Sequence, residues 1–498
     1  MTAPSTQAPH PGADPAGSTD PRTTIILRTL TVAAFVVILN ETIMNNALPR
    51  LMAHFEVPAT TAQWLSTSFM LTMAVVIPTS GWLLQRLGVR GTFVLAMSLF
   101  TAGTALASAA PTFEVLIGAR VVQASGTAVM IPLLMTTLMN LVPENDRGRV
   151  MGNVSLVIAV APAMGPAVSG LLLQIGSWRL IFLAVLPIAA IALAIGMRLL
   201  PRIEESGRTR LDLLSLLLSA VGFGGLIYGL SSLGGGHGSA DEPAPEPVVD
   251  PPVAIAVSVL ALALFAWRQI RLQRGADPLL DLRAFTYGGY TAAFGTMCLS
   301  FMAFLATIIL LPIHLQQVLS LSTLTTGLLL IPGGLAMGLL GPTVGRAYDR
   351  YGAPRLVLPG TVAMTLMLGL LALLAPVADA WLILVLHVCL SLALAMTFTP
   401  LFTAGLGSLP SHLYSHGSAI LGSLQQVAGA AGTALSIAVM SLVAGSLVDS
   451  GEPGPDELAV GMRASFGVLA AVGLLAIACA TRVRTPPPGT ERSDAPTH

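Results

Sequence analysis

Apolar stretches of about 20 residues recur along the whole chain, separated by short polar segments in which glycine, proline and arginine collect. At about 1.5 Å of helical rise per residue, each stretch is long enough to cross a hydrocarbon core about 30 Å thick. Fourteen are counted, at 25–49, 62–85, 91–110, 114–141, 149–174, 178–199, 211–233, 253–273, 288–316, 322–347, 355–376, 379–406, 417–447 and 463–481. The pattern predicts an all-α polytopic membrane protein with fourteen transmembrane helices.

Composition agrees: 54% of the 498 residues are hydrophobic and 10% are charged, and the mean hydropathy is +0.80, far more apolar than a soluble domain. The formal net charge is zero, which suggests no nucleic acid partner. Charge distribution is more informative. All 24 basic residues are arginine, and alternate loops collect them, at Arg86 and Arg90, Arg147 and Arg149, Arg198–Arg210, Arg268–Arg283, Arg346–Arg355 and Arg482–Arg492. With Arg22 and Arg28, one side holds 20 of the 24; the other holds Arg50, Arg179 and Arg463, and Arg120 stays within a span. An excess of arginine marks cytosolic loops, so both termini are expected in the cytosol of a bacterial cell, with the chain in its cytoplasmic membrane. The ends, 1–22 and 483–498, read as disordered tails, and the acidic, proline-rich outer loops around 234–252 and 449–457 as solvated linkers. Cys298, Cys389 and Cys479 all lie in apolar runs, which argues against a disulfide framework or a cysteine metal site.

An internal repeat organises the spans. The turn after span 2 reads GWLLQRLGVR (Gly81 to Arg90), and the turn after span 10 reads GRAYDRYGAPR (Gly345 to Arg355), so that Gly81, Gln85, Arg86 and Gly88 recur as Gly345, Asp349, Arg350 and Gly352. Two similar six-helix bundles follow, 23–200 and 276–482, with two further helices and an acidic loop inserted at 201–275. The substrate path is expected between the bundles, with the inserted pair at the periphery and the two turns acting as gating elements.

Two ionisable residues lie at bilayer depth. Glu41 falls about four residues, roughly 6 Å, beyond the middle of span 1. A charged side chain there costs about 3 kcal/mol or more, so it is expected to face a cavity and to exchange a proton or bind a cation; a permanent salt bridge with Arg120 is the structural alternative. Arg120 lies six residues into span 4 with Gln123 on the same face; an arginine keeps its proton and acts by biasing a partner or binding an anion. Asn40, Asn45, Gln123, Gln425 and Gln426 are candidate cavity polar groups. His314, at the outer end of span 9, reads as loop-facing.

The chain resembles the fourteen-span drug:proton antiporter family of the major facilitator superfamily over nearly its whole length. The match is carried by LNETIMNNALP (39–49), the two turns above, LIGARVVQASG (116–126), APAMGPAVSG (161–170) and HGSAILGSLQQVAGAAGTAL (416–435). The resemblance implies the superfamily fold, two six-helix bundles plus two inserted helices, and proton-coupled export of lipophilic, cationic drugs by a monomer through alternating access. It implies that Arg120 is the proton-relay arginine, and that Ala161, Pro162, Gly165, Pro166 and Gly170 form the antiporter motif, a packing element that seals against leak. The family carries aspartate where this chain has Asn40, with Glu41 beside it. No phosphate loop, metal-spaced cluster or soluble catalytic domain is present, so neither an enzyme, a cofactor nor ATP drive is expected. An exporter of one metabolite, such as a self-made antibiotic or a lipid, and a channel are the other readings.

Overall fold

The computed structural model describes residues 21–45, 47–200, 211–233, 249–274, 278–375, 377, 379–448 and 453–485. Most of both expected tails and of the two acidic outer loops, Asn46, and the side chains of Asn45 and Pro166 lie outside the described residues.

The described chain is helical throughout. The first bundle is built from α1 (Pro21–Asn45), two short outer helices α2 (Leu48–Phe55) and α3 (Ala59–Ala62), then α4 (Trp64–Val76), α5 (Ser80–Ser108), α6 (Phe113–Leu141), α7 (Arg147–Ile175) and α8 (Arg179–Leu199). An inserted pair follows, α9 (Leu213–Ser219) continuing through a π-turn at Ala220–Gly224 into α10 (Gly225–Leu233), and α11 (Pro251–Leu272). The second bundle comprises α12 (Gly288–Ile313), α13 (Thr323–Tyr351), α14 (Pro354–Leu374), α15 (Ala380–Gly407), α16 (Tyr414–Gly445) and α17 (Pro455–Ala480). Twelve helical segments of the described residues are long and apolar enough to cross a membrane. One of them, Trp64–Ser108, runs 45 residues, about twice the length a bilayer needs, and it is broken at Gly88, whose φ of 65° and ψ of 177° are not helical. α7, 29 residues long, is not among the twelve.

Gly88 and its repeat mate Gly352, at φ 76° and ψ 173°, share one backbone conformation. That region is open to glycine and costs other residues about 1–3 kcal/mol. Both turns use it to reverse the chain on the arginine-rich side. The second is fastened by Thr485, whose Oγ1 accepts the Ala353 N–H at 2.9 Å.

One apolar core fills the first bundle and takes in Tyr290, Leu413, Tyr414 and Ile420 of the second, and another lies within the second. Leu30, Phe93, Phe100, Met130 and Leu138 are fully buried in the first, and Leu310, Met364, Leu368 and Phe466 in the second. Between bundles, the contact of α7 with α13 on the arginine-rich side is made by backbone. Gly148 and Gly152 of α7 face Gly345 and Gly341 of α13, and a Cβ on Gly345 would collide with the Gly148 carbonyl oxygen. This approach brings Asp349 onto the start of α7, where its two carboxylate oxygens accept the N–H groups of Gly148 and Arg149 at 2.8 and 2.7 Å. The first amides of a helix lack intrahelical acceptors and carry partial positive charge. The helix's own N-cap residue, Asp146, makes no capping bond and pairs instead with Arg149 at 3.2 Å. In the first copy of the turn the equivalent side chain is neutral: Gln85 Nε2 lies 2.7 Å from Nε2 of His416 on α16. Thr136 of α6 donates to Ser418 of α16 at 3.3 Å, closing the same side further.

The inserted pair is less peripheral than the hydropathy pattern predicts. Phe223 and Ile227 pack with Ala74 of α4 and Ala430 of α16 in one apolar cluster, so the first inserted helix lies along the seam between bundles. Helix periodicity gives which face is apolar, not which neighbours it meets. Gly222 and Gly225, against Leu262 and Ser258, let α11 close behind it. At the arginine-rich end, Arg268 donates to Asp212 through Nε at 2.6 Å and Nη2 at 2.9 Å, and Gln269 bridges Ser215 Oγ to the Leu280 N–H.

Gly352→Ala places a Cβ against Thr485 and in a glycine-only conformation, so it lowers stability by about 1–3 kcal/mol. Gly118→Ala, in open space within a helix, leaves it unchanged or raised; thermal unfolding in detergent compares them. The Arg268 guanidinium holds the Asp212 carboxyl at about 2, below the ordinary 3.8. A lowered folded-state pKa stabilises above the unfolded value and is lost as pH falls through the folded one. The deficit of Arg268→Gln relative to the unaltered protein is therefore greatest near neutrality and shrinks as pH falls from about 4 towards 2, read from unfolding temperatures across that range.

Candidate proton and substrate site

The site grows from α6, whose Ala119, Arg120, Gln123 and Ala124 are all buried. α5 approaches this face at backbone distance because Gly103 and Gly126 have no side chains: a Cβ on either would strike the opposite helix. The approach brings Thr104 of α5 to Gln123, whose Nε2 donates to Thr104 Oγ1 at 2.7 Å, while Thr104 donates to the Phe100 carbonyl at 2.7 Å. Gln123 is thereby oriented, and its Oε1 accepts from Arg120 Nη1 at 2.6 Å. Phe69 of α4 lies over the guanidinium, ring centroid to Cζ 4.1 Å.

Arg120 is thus a cation with 1% of its surface exposed, held by neutral groups and an aromatic face. Its contact with α1 is to Asn40 Oδ1, at a long 3.4 Å. Arg120 Nε and Asn40 Nδ2 have no hydrogen-bond partner among the described residues. Burying a charge without a counter-ion costs several kcal/mol, and the counter-ion expected from the sequence is Glu41. Among the described residues Glu41 and Arg120 form no ion pair within 4.0 Å. The locked salt bridge considered from sequence is not formed.

The periodicity of α1 explains why. Asn40 is turned onto α6, and Thr42, two residues on, is in contact with Gly165 of α7. Successive side chains turn by about 100°, so Glu41 projects midway between α6 and α7. It lies on the opposite side of α1 from Ile25, Arg28 and Val32, which are the exposed stripe of that helix. The carboxyl is half-buried and directed inward, one residue out of register with the arginine.

The remaining expected residues divide between packing, gating and the second bundle. Ala161 is fully buried and Pro162 exposed, Gly165 gives α7 its closest approach to α1, and Gly170 is half-buried with open space around it; α7 stays helical through Pro162 and Pro166. Gly81 sits against His416 and Ser415. Arg86 lies over Trp82 at 5.5 Å and Arg350 over Tyr351 at 5.2 Å. Gln425 and Gln426 are half-buried on α16; Gln425 shares a helix face with Ser418 and Gly422, which touch α6 and Ile77 of the first bundle. Asn45 closes α1. His314 departs from expectation: it is 1% exposed and forms part of a π-turn at His314–Val318 that extends α12. Thr104, Phe69 and His416 were not expected. Each is one of several polar or aromatic residues on its helix, and spacing alone does not single it out. Among the described residues, no group of three His, Cys, Asp or Glu is placed to hold a metal ion.

Comparison with known proteins agrees with this architecture. Residues 30–433 match the family model described as Major Facilitator Superfamily. The chain is 39% identical to the Lincomycin resistance protein LmrB of Listeria monocytogenes over 459 residues, covering 90% of this chain and 95% of that one. It is 31% identical to a Multidrug resistance protein B homolog of Mycobacterium tuberculosis, covering 82% and 75%. In three dimensions it resembles the proton:xylose symporter XylE, with a TM-score of 0.63 at 17% identity over 93% of this chain and 95% of that one. The human organic anion transporter MFSD10 also aligns with a TM-score of 0.63, at 14% identity over 93% and 100%. With two helical bundles, a seam between them and a match across most of its length, the chain belongs to the major facilitator superfamily.

Proposed function

We propose that this protein is a proton-coupled antiporter that exports lipophilic, cationic drugs across the cytoplasmic membrane. The observation that carries the reading is Glu41: a half-buried carboxyl at bilayer depth, aimed inward from α1, one residue away from the contact that a buried arginine makes with Asn40. A carboxylate fully paired to Arg120 holds neither proton nor cation. One displaced from it exchanges the two.

In this cycle Arg120 stays charged and fixed by Gln123 and Phe69. Its field favours the ionised form of Glu41 and its surroundings favour the neutral one, so small changes in access shift the balance. An ionised Glu41 facing the cytosol binds the substrate cation. When the site faces outward, a proton from outside takes the carboxylate and releases the cation. The arginine-rich side is taken as cytosolic, and the bundles are joined there through Gly148, Gly345 and Asp349, which fits a conformation closed to the cytosol. Return requires the Asp349 bonds to break and the bundles to rock about the seam. The 45-residue helix broken at Gly88 counts as two passages and α7 as one, which gives fourteen spans with both termini cytosolic. Relatives named for lincomycin resistance and multidrug resistance support the substrate class. A monomer holds the whole site.

The test is dye efflux in inverted vesicles. Acidifying the lumen drives accumulation of lipophilic cations in vesicles with the unaltered protein, and Glu41→Gln reduces the rate about tenfold or more. Because one carboxylate carries one proton, a monovalent cation exchanges without net charge, so an imposed voltage at equal pH drives no accumulation. Undiminished pH-driven transport by Glu41→Gln, or transport driven by voltage alone, overturns the assignment.

A further inference from the structure

Near Thr42 and Gly165 the helices α1 and α7 are in contact, but towards the arginine-rich side they part. The space between them is a crevice of about 700 Å³. Its walls are apolar, with Leu27 and Val32 on α1 and Val154 and Val157 on α7, and Arg28 and Arg149 both line it. No acidic side chain does.

The crevice is on the outside of the bundle. On α7 the side facing α13 carries Gly148 and Gly152, and the core side carries the fully buried Met151. The crevice is centred between them on the exposed Asn153, with Val154 at its core-side edge and Leu156 at the edge that meets Gly338 of α13. Asn153 and Val157 continue along α7 into Met164, Leu171 and Ile175 at helical spacing, and those three are 40, 60 and 69% exposed. Large apolar side chains at such exposure in a membrane-spanning helix face lipid. On α1 the crevice wall includes Val32, 52% exposed, on the side opposite Glu41. The opening therefore meets the bilayer and not the path between bundles.

We propose that this crevice is a binding site for one anionic phospholipid of the leaflet at the arginine-rich side. An acyl chain lies along Leu27, Val32, Val154 and Val157, and the phosphate sits between Arg28 and Arg149. Arg149 stands two residues inside the start of α7, at headgroup level. Arg28 is seven residues into α1, about 10 Å along it, a depth from which an arginine reaches the interface by extending its stem. Arg149 uses Nη2 at 3.2 Å on Asp146 and its side chain remains 47% exposed, so further guanidinium donors face the crevice mouth. A phosphate accepts from two such forks more strongly than a zwitterionic headgroup, whose own cation competes. The site spans α1, which carries Glu41, and the end of α7 that Asp349 caps. Its occupant bridges the proton-binding helix and the gating helix.

The proposal needs only the membrane placement, not the direction or cargo of transport, so its failure and that of the antiporter reading are separable. Purified protein in neutral detergent is offered dioleoyl phosphatidylglycerol and dioleoyl phosphatidylcholine in equal amounts, and bound lipid is counted by native mass spectrometry. The unaltered protein retains the anionic lipid about tenfold or more over the zwitterionic one. Arg28→Gln with Arg149→Gln, both exposed positions, abolishes the preference. Val32→Trp, which fills the crevice and leaves both arginines in place, lowers retention of either lipid. Glycerol phosphate, the headgroup without chains, does not displace the bound lipid. Equal retention of the two lipids by the unaltered protein, a preference that survives the double substitution, retention untouched by Val32→Trp, or displacement by glycerol phosphate each overturns it.

Discussion

Where α7 begins, the amides of Gly148 and Arg149 are directed at a carboxylate that belongs to the other bundle. A helix start left without acceptors is costly, and a carboxylate there gains both from charge-assisted hydrogen bonds and from the helix dipole. Asp349 reaches it only because Gly148, Gly152, Gly341 and Gly345 let α7 and α13 cross in backbone contact. The two conditions depend on each other, so the join between bundles forms as a unit and parts as a unit. In the proposed cycle, a two-state join of this kind turns a small event at the binding site into exposure of one side or the other. The pseudo-equivalent join, Gln85 to His416, has no carboxylate, and this leaves the charged contact on one side of the seam.

The buried site is built on the opposite principle. Gln123, Thr104, Asn40 and Phe69 surround Arg120 with dipoles and a ring face, and Glu41 is held next to it without being paired. A full ion pair there would fix both charges and leave nothing to exchange. Neutral second partners keep the arginine in place whether or not the carboxyl is ionised. In the proposed cycle, the one-residue offset between Asn40 and Glu41 is the feature that frees the carboxyl for exchange.

Much of this was readable in the chain. Apolar runs gave the helices because spanning length is dictated by bilayer thickness, and the repeated turn gave the two bundles because Gly88 and Gly352 stand where only glycine fits. The Arg120–Gln123 pair follows from three-residue spacing on one helix face. What periodicity does not carry is the partner across a helix interface. Thr104 and Phe69 became site residues only once α5 and α4 were seen to pack on α6. The first inserted helix lies along the seam through Phe223 and Ile227, although its hydropathy matches a peripheral one. His314 is buried where a π-turn extends α12, a local change of helical pitch with no sequence signal.

If the α7–α13 backbone contact capped by Asp349 holds the bundles together on the arginine-rich side, a distance across the join responds when the cap is weakened. Spin labels at Glu144 and Arg355, exposed positions on the two bundles near the join, are measured by double electron–electron resonance in a background with Cys298, Cys389 and Cys479 replaced by serine. One dominant short distance is expected, with a second, longer population that grows when Asp349→Asn weakens the cap. A distribution that Asp349→Asn leaves unaltered would contradict it.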